Sequence, residues 1–436
     1  MDWLYGLQKI GIKFGLNNIQ LLCRLLGNPE RRFPTVHIAG TNGKGSTAAF
    51  LTEIATSAGL RCGLTTSPHL VELTERIRIG RQAIPRDCFA CLTNELMEVV
   101  EAYNHRFPSH PFMPTFFEAT TALAFAYFAQ EKVDLAVIEV GLGGRLDSTN
   151  VITPLVSIIT SIGLEHTEYL GKTLAAIARE KGGIIKKGVP LLTAEENPEA
   201  LRVLERICDA KDAECRLAGR DFTLEFHAQS RRFRYTDAER CLSSIQLALS
   251  GQHQHRNAAL AVAAAFELKK HGFHINDTAI RAGLRATAWP GRLESFPGEP
   301  PWLLDCAHNP HAVETLVEYL AEHFSGKRVL CVFAAMKDKD HAAMLSRLSP
   351  FVHTWIFTSP PLERAELPKR LQGELPRDAR AMIRKRVSDA LRLAADREHE
   401  HDLILIAGSI FLVGASYRFV ERHCGKSGIL TTGMVF

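Results

Sequence analysis

The sequence predicts an α/β fold in two parts: a parallel-sheet domain over residues 1–288 and a smaller α/β domain over 289–436. Three observations carry this. A short apolar run at 35–39 enters a glycine-rich loop, Gly40-Thr41-Asn42-Gly43-Lys44-Gly45-Ser46, and a helical pattern follows over 47–57. Two further apolar runs, 133–140 and 154–161, end in glycine or polar loops and alternate with helical stretches. Breakers cluster at Trp289-Pro290-Gly291-Arg292, and strand–helix alternation then begins again.

In chain order, residues 1–33 read as short helices, with Leu21, Leu22, Leu25 and Leu26 forming a core stripe. After the glycine loop and its helix, residues 61–66 form a strand that Pro68 stops, leaving Ser67 at its carboxyl end. Residues 75–84 alternate weakly, as another strand. Residues 86–107 and 117–130 are helical, and so is a stretch near 173–180. The region 215–250 looks β-rich, and 257–268 is an Ala-rich helix. In the second part, strands are expected at 302–304, 328–333, 354–358 and 403–407, with helices at 311–323, 341–348 and 387–395. The end, 425–436, reads as a loose tail.

Composition narrows the function classes. The 436 residues carry a net charge of +4 and no Lys/Arg block, which speaks against nucleic acid or a membrane surface as partner. No apolar run reaches the length of a membrane span, and the start lacks a basic segment followed by an apolar one. The expectation is a cytoplasmic monomer acting on small molecules. Cys88 and Cys91 form C-x-x-C, but within a helical pattern, so all ten cysteines are expected to be reduced.

Strand, glycine loop and helix make a phosphate cradle. Glycines let backbone N–H groups approach phosphate oxygens, the helix N-terminus adds its open donors, and Lys44 can reach the terminal phosphates. The standard P-loop has a longer spacer before its Gly-Lys, and here Gly45 separates Lys44 from Ser46. Spacing alone leaves both a nucleotide site and an ordinary glycine-rich turn open. Glu139 lies inside an apolar strand and needs a partner there; beside a phosphate loop, Mg²⁺ is the sharper reading and an ion pair the blander one. Ser67 could add a hydroxyl to that ion, although alone it is a turn residue. By their chemistry alone, His166 is a loop histidine and Lys181 an ordinary solvated lysine.

The string GTNGKGS resembles the ATP loop of the Mur-ligase superfamily, most closely its folylpolyglutamate synthase branch and the bifunctional bacterial form with dihydrofolate synthase activity. SPHL at Ser67, EVGLGGRLDSTN from Glu139, GLEHT around His166 and EKGGIIK from Glu180 are similar to family signatures, in family order. HQHRNAALA, PGRLE, DCAHNP, AAMKDKD and AGSIFLVG extend the likeness over nearly the whole chain. The departures are Cys306, where glycine is usual and crowding beside Asp305 is expected, and Gly182, where alanine is common.

The resemblance implies an ATP-binding domain of Mur-ligase central type followed by a Rossmann-like glutamate-ligase domain. It implies ATP contacts from Thr41, Asn42, Gly43, Lys44, Gly45 and Ser46, with Asn257 at the adenine and Arg292 at the phosphates. Asp305 and His308 would complete the nucleotide site from the second domain, closing it on binding. It implies two Mg²⁺ ions, one on Ser67 and Glu139, the other on His166, Glu139 and a carbamylated Lys181. The pterin region would include Phe116, Phe117 and Glu118, although core packing explains the two phenylalanines equally well by spacing. The implied reaction is ATP-dependent joining of L-glutamate to dihydropteroate and to reduced folates through an acyl phosphate, with Lys44, Lys181, His166 and His308 in catalytic positions. Extension of folates alone is the nearer alternative. A peptidoglycan-type Mur ligase would carry a further domain ahead of the loop, and a P-loop switch or motor would not need Glu139, His166 and Lys181 together.

Overall fold

Each strand that the sequence marks as a continuous apolar run is buried along its whole length, as a sheet covered on both faces requires. The computed structural model describes residues 2–11, 13–227, 230 and 232–425. The tail expected at 425–436 therefore lies, beyond Gly425, outside the described residues. The chain divides into two units, Met1–Ala248 with His255–Thr287, and Leu249–Gln254 with Ala288–Phe436.

In the first unit the strands are β1 (Thr35–Ala39), β2 (Cys62–Thr65), β3 (Ile77–Ile79), β4 (Gln82–Ala83), β5 (Leu135–Glu139), β6 (Val156–Ile159), β7 (Leu191–Thr193) and β8 (Cys215–Leu217). They form one sheet in the order β4-β3-β2-β5-β1-β6-β7-β8. β1 is central, parallel to β5 and β6, so the loops after all three open at one edge. The 75–84 stretch is not one strand. A glycine at φ +56, Gly80, turns it into the antiparallel pair β3–β4. The β-rich region divides as well: β8 extends the main sheet, while β9 (Phe222–His227), β10 (Arg232–Asp237) and β11 (Cys241–Ile245) form a separate antiparallel sheet.

The helix behind the glycine loop, Lys44–Ser57, is buried from Ser46 to Ala55 and has no polar face. A helix not foreseen from the sequence, Asp277–Ala286, packs on it through Gly283, where a Cβ would strike the backbone of Ile54. This close packing fixes the axis along which the loop is presented.

The second unit has β12 (Glu294–Phe296), β13 (Trp302–Leu304), β14 (Val329–Phe333), β15 (Val352–Phe357), β16 (Ala381–Ile383) and β17 (Leu403–Ala407), ordered β12-β13-β17-β14-β15-β16. All pairs are parallel except β12–β13. Its core gathers Leu303, Cys331, Phe333, Trp355 and Leu405 against helices Pro310–His323 and His341–Leu348. Among the described residues no helix is long and apolar enough to cross a membrane.

Candidate active site

The loop after β1 is built by close contact. Gly40 has φ +148, and a Cβ there would collide with the hydroxyl of Thr160. Gly43 has φ +85, and a Cβ there would meet the amide of Asn257. Glycine is therefore required at both positions by conformation and by space. Thr41 N–H donates to Ser161 O at 2.6 Å, Thr160 Oγ1 donates to Asn42 O at 2.6 Å, and Gly163 N–H donates to Thr41 Oγ1 at 2.9 Å. The loop after β6 thus clamps the glycine loop. Gly43 is also the residue ahead of the Lys44–Ser57 helix, and it has no side chain to cap that helix.

Two lysines converge on one oxygen. Lys44 Nζ donates to Gly40 O and to Thr41 O, both at 3.0 Å, and Lys181 Nζ donates to the same Gly40 O at 2.7 Å. Lys181 is not solvated; it is 4% exposed. Burial, then the neighbouring Lys44 ammonium, pulls its amine down to about 7. What sequence reasoning lacked is the interlock that carries Lys181 inward. Gly144 lies against the backbone of Glu180 and Lys181, Gly183 against the backbone of Arg145, and Arg145 N–H donates to Glu180 O at 2.7 Å. The glycines of GLGG and EKGG serve this interlock. Gly182 is freer: a Cβ there would meet only side-chain methyl tips, Ile207 most closely, then Leu204 and Ile185.

Glu139 ends β5, beside Ile38 of β1, and is 6% exposed. Its Oε2 accepts the Ser67 N–H at 3.1 Å, so these two predicted metal-site residues do meet. His166 is exposed, at φ +50, ahead of the short Thr167–Leu170 helix. Among the described residues no three His, Cys, Asp or Glu side chains form a ready-made metal group.

Several residues around the loop were not singled out from the sequence. Glu195, 3% exposed, accepts the N–H of Ile162 at 2.5 Å and of Asn197 at 2.7 Å, holding the loop after β6. His37, buried in β1, meets Thr149 Oγ1 at 2.8 Å, and Thr149 in turn bonds Asp147 Oδ1 at 2.5 Å. Asp147 Oδ2 accepts from Leu142 N–H at 2.8 Å, bracing the loop after β5. Burial lowers the His37 imidazole to about 3, so it is neutral. An acid closing an apolar strand, as in LLTAEE, and a histidine inside one, as in TVHIA, were the available cues.

At the proposed pterin segment, Thr115 and Glu118 form a capping box, and Asn18 Nδ2 donates to the same Glu118 carboxylate at 3.3 Å. Glu118 is therefore engaged in holding the helix start. Phe117 packs against Gly141, while Phe116 lies 6.4 Å from the Tyr5 ring with the Arg76 guanidinium 5.3 Å above it.

In the second unit, Arg292, Asp305, Cys306 and His308 lie together. Asp305 Oδ2 accepts from Leu293 N–H and Oδ1 from Ala307 N–H, both at 2.9 Å. Burial pushes its carboxyl up and Arg292 opposes that. The Cys306 thiol is buried beside Arg292, and Cys306 N–H donates to Gly291 O at 2.9 Å. The expected crowding is absent: Asp305 keeps both backbone partners. His308 Nδ1 lies 2.9 Å from Cys306 O.

A parallel sheet with a clamped glycine loop, two lysines at its mouth and a carboxylate on the next strand defines a nucleotide-using enzyme of the Mur-ligase class. The chain matches the Mur ligase middle domain over residues 38–265 and the Mur ligase glutamate ligase domain over 291–410. It belongs to the Mur-ligase family, in the branch of the dihydrofolate synthase/folylpolyglutamate synthases. It is 39% identical to the Bacillus subtilis dihydrofolate synthase/folylpolyglutamate synthase, over 94% of this chain and 96% of that protein. It is 36% identical to the Lacticaseibacillus casei folylpolyglutamate synthase, over 91% and 92%. The Escherichia coli FolC complex with DHPP and ADP superposes with a TM-score of 0.87 at 30% identity, covering 97% of each chain. Mycobacterium tuberculosis folylpolyglutamate synthase with ADP and AMPPCP gives 0.88 at 31%, over 98% and 99%.

Proposed function

We propose that this enzyme is an ATP-dependent ligase that adds L-glutamate to dihydropteroate and to reduced folates. The observation that carries the reading is the convergence of Lys44 and Lys181 on the Gly40 carbonyl. Lys44 supplies a cation beside a helix start with no side-chain cap and has no ion pair among the described residues, which suits a polyphosphate, while the Lys181 amine meets the same carbonyl from the other side. The substrate carboxylate attacks the γ-phosphorus and ADP leaves; the glutamate amine then attacks the acyl carbon and phosphate leaves. Lys44 and the loop N–H groups offset charge as it moves to the leaving ADP, and Asn257, which touches Gly43, is placed to position the nucleotide. We assign further nucleotide contacts to Arg292, Asp305 and His308.

Mg²⁺ prefers oxygen ligands, and the buried Glu139 carboxylate with the adjoining Ser67 fits it. When bound, the ions would neutralise phosphate charge. A lysine ammonium is no ligand for a hard cation. An amine held near 7, however, is half neutral at physiological pH and can take up CO₂ to give an oxygen-donor carbamate. We therefore propose Lys181 as the carbamylated residue of a second ion, with Glu139 and His166. Phe116 and Phe117 are the aromatic pair we propose for the pterin, with Glu118 supporting them. Ten free cysteines and the absence of a basic block fit a cytoplasmic monomer.

The test is ADP release with Mg-ATP and glutamate, using dihydropteroate and tetrahydrofolate separately. Turnover with both is expected. Turnover with tetrahydrofolate alone would leave only the folate-extending activity, and turnover with neither would refute the reading. Lys181→Ala should lose activity and regain part of it with added short carboxylates; a bare lysine in the mass of the active enzyme would rule out the carbamate.

A further inference from the structure

The second unit has a cleft of about 520 Å³ at the amino ends of β14, β15, β16 and β17. These four strands are neighbours in one parallel sheet, so the residues entering them are brought side by side. Arg328 immediately precedes β14, His353 is the second residue of β15, Arg380 immediately precedes β16, and His401 lies just ahead of β17. Arg397, following the Val387–Asp396 helix, completes a ring of three guanidinium groups. Asp305 and His308 follow β13, at the opposite end of the same sheet. The cleft is therefore separate from the second-unit residues assigned to the nucleotide.

Its charge is compensated only in part: of its three guanidiniums, two have a carboxylate partner and one has none among the described residues. Glu400 is the acid lining it, 3.9 Å from Arg397 and with its side chain 48% exposed. Arg328 reaches Asp402 at 3.6 Å. Arg380 has no carboxylate partner among the described residues; it lies 3.5 Å from His353 Nε2. A basic residue at a helix C-terminus can be explained by the helix dipole, and Arg397 allows that reading. Arg328 and Arg380 enter strands, and the dipole does not explain them. The floor is rigid: His401 is 6% exposed, with Nε2 3.1 Å from Thr354 Oγ1 and Nδ1 2.9 Å from Arg397 O. His399 adds a further imidazole at the rim.

We propose that this cleft binds a compact polyphosphate anion, free or as the phosphate tail of a nucleotide. Guanidinium forks match phosphate oxygens in paired hydrogen bonds, and the cleft has the size of a small-molecule site. Three guanidiniums, from two strand starts and one helix end, line a single cleft, which suits clustered charges better than an extended carboxylate chain. The proposal does not depend on the ligase reading.

The test is calorimetric titration of the full chain with inorganic tripolyphosphate. The wild type, Arg380→Gln/Arg397→Gln and Lys44→Ala are compared, with thermal melts to establish folding. Two binding events are expected in the wild type. The double arginine variant should weaken one of them at least about ten-fold, the scale of one lost charge-assisted hydrogen bond, and keep basal ligase activity. Lys44→Ala should weaken the other. In the Lys44→Ala background, a nucleoside triphosphate that binds more tightly than tripolyphosphate assigns the site to nucleotides; the reverse assigns it to free polyphosphate. Protection of Arg380 and Arg397 from dicarbonyl modification by either ligand would locate the site independently. Titration of the double variant like the wild type, or binding of tetra-γ-glutamate in place of both phosphates, would overturn the proposal.

Discussion

The two parallel sheets present loops at the carboxyl ends of their strands in opposite states. After β1 the following helix starts at a glycine with no side chain to cap it, and two lysines share one carbonyl oxygen. After β13 the following helix starts at Asn309, whose Oδ1 accepts the Ala312 N–H at 2.8 Å, with Pro310 at its first position. There Asp305 has a backbone N–H on each carboxylate oxygen. The second loop is satisfied by its own chain, whereas the first is left with unmatched positive charge. Loops of the same topological kind thus differ in how they are held. The first keeps charge that a polyanion can complete, whereas the second fixes its helix start and its carboxylate by bonds within its own chain, which would hold Asp305 and His308 in place for the contacts proposed for them.

The comparison is tested most severely at Lys44. If the first loop is built for charge that arrives with the ligand, Lys44→Ala should cut turnover on the order of 10²–10³-fold, the scale of losing one preorganised donor to developing charge. Relief of repulsion with Lys181 should leave the melting temperature unchanged or raised. A clear drop in melting temperature with activity retained would show that the lysine is structural and break the contrast.

Lys181 sharpens the same point through pH. Its amine lies near 7 in the folded chain and at 10.5 as an unperturbed lysine, so the folded value is depressed. Its share of stability is then present above 10.5 and is lost as the pH falls through about 7. Lys181→Met keeps the volume and removes the charge. In CO₂-free buffer the variant should gain most over the wild type below about pH 7, and the gain should shrink towards pH 10.5. Denaturant midpoints across that range check the sign. A gain that does not vary with pH would mean that the ammonium is not strained in the fold.

How much of this could be read in the sequence follows the same division. Strands made of continuous apolar residues were legible, because burial on both faces leaves a plain run such as Leu135–Glu139. The helix Asp277–Ala286 was not, because its role rests on one glycine meeting Ile54 from a distant stretch. Lys44 and Glu139 could be picked out as candidates from loop and strand-end position, whereas Ser67 by itself read as a turn residue. Lys181 looked ordinary, and the reversal came from family strings, since the turn that buries it depends on Gly144 and Gly183 touching across the fold. Glu195 and the His37–Thr149–Asp147 chain escaped notice for the same reason: Glu195 meets the backbone of Ile162, and His37 the Thr149 hydroxyl, both far away in sequence.

The smallest expected effect falls on the satisfied side. Asn309→Ala removes the cap of the Pro310–His323 helix and leaves the Ala312 N–H without its acceptor. The loss should be about 1 kcal/mol, the usual value of such a cap, seen as a lower denaturant midpoint at constant slope. The Asn309 side chain serves this cap and no ligand, so the affinity for ATP analogues should be unchanged in the folded variant. The matching change on the other side, Gly43→Ala, introduces a Cβ at φ +85 against Asn257 and should abolish nucleotide binding. If Asn309→Ala instead weakens nucleotide binding without loss of stability, Asn309 itself contacts the nucleotide and is not merely the cap of its helix.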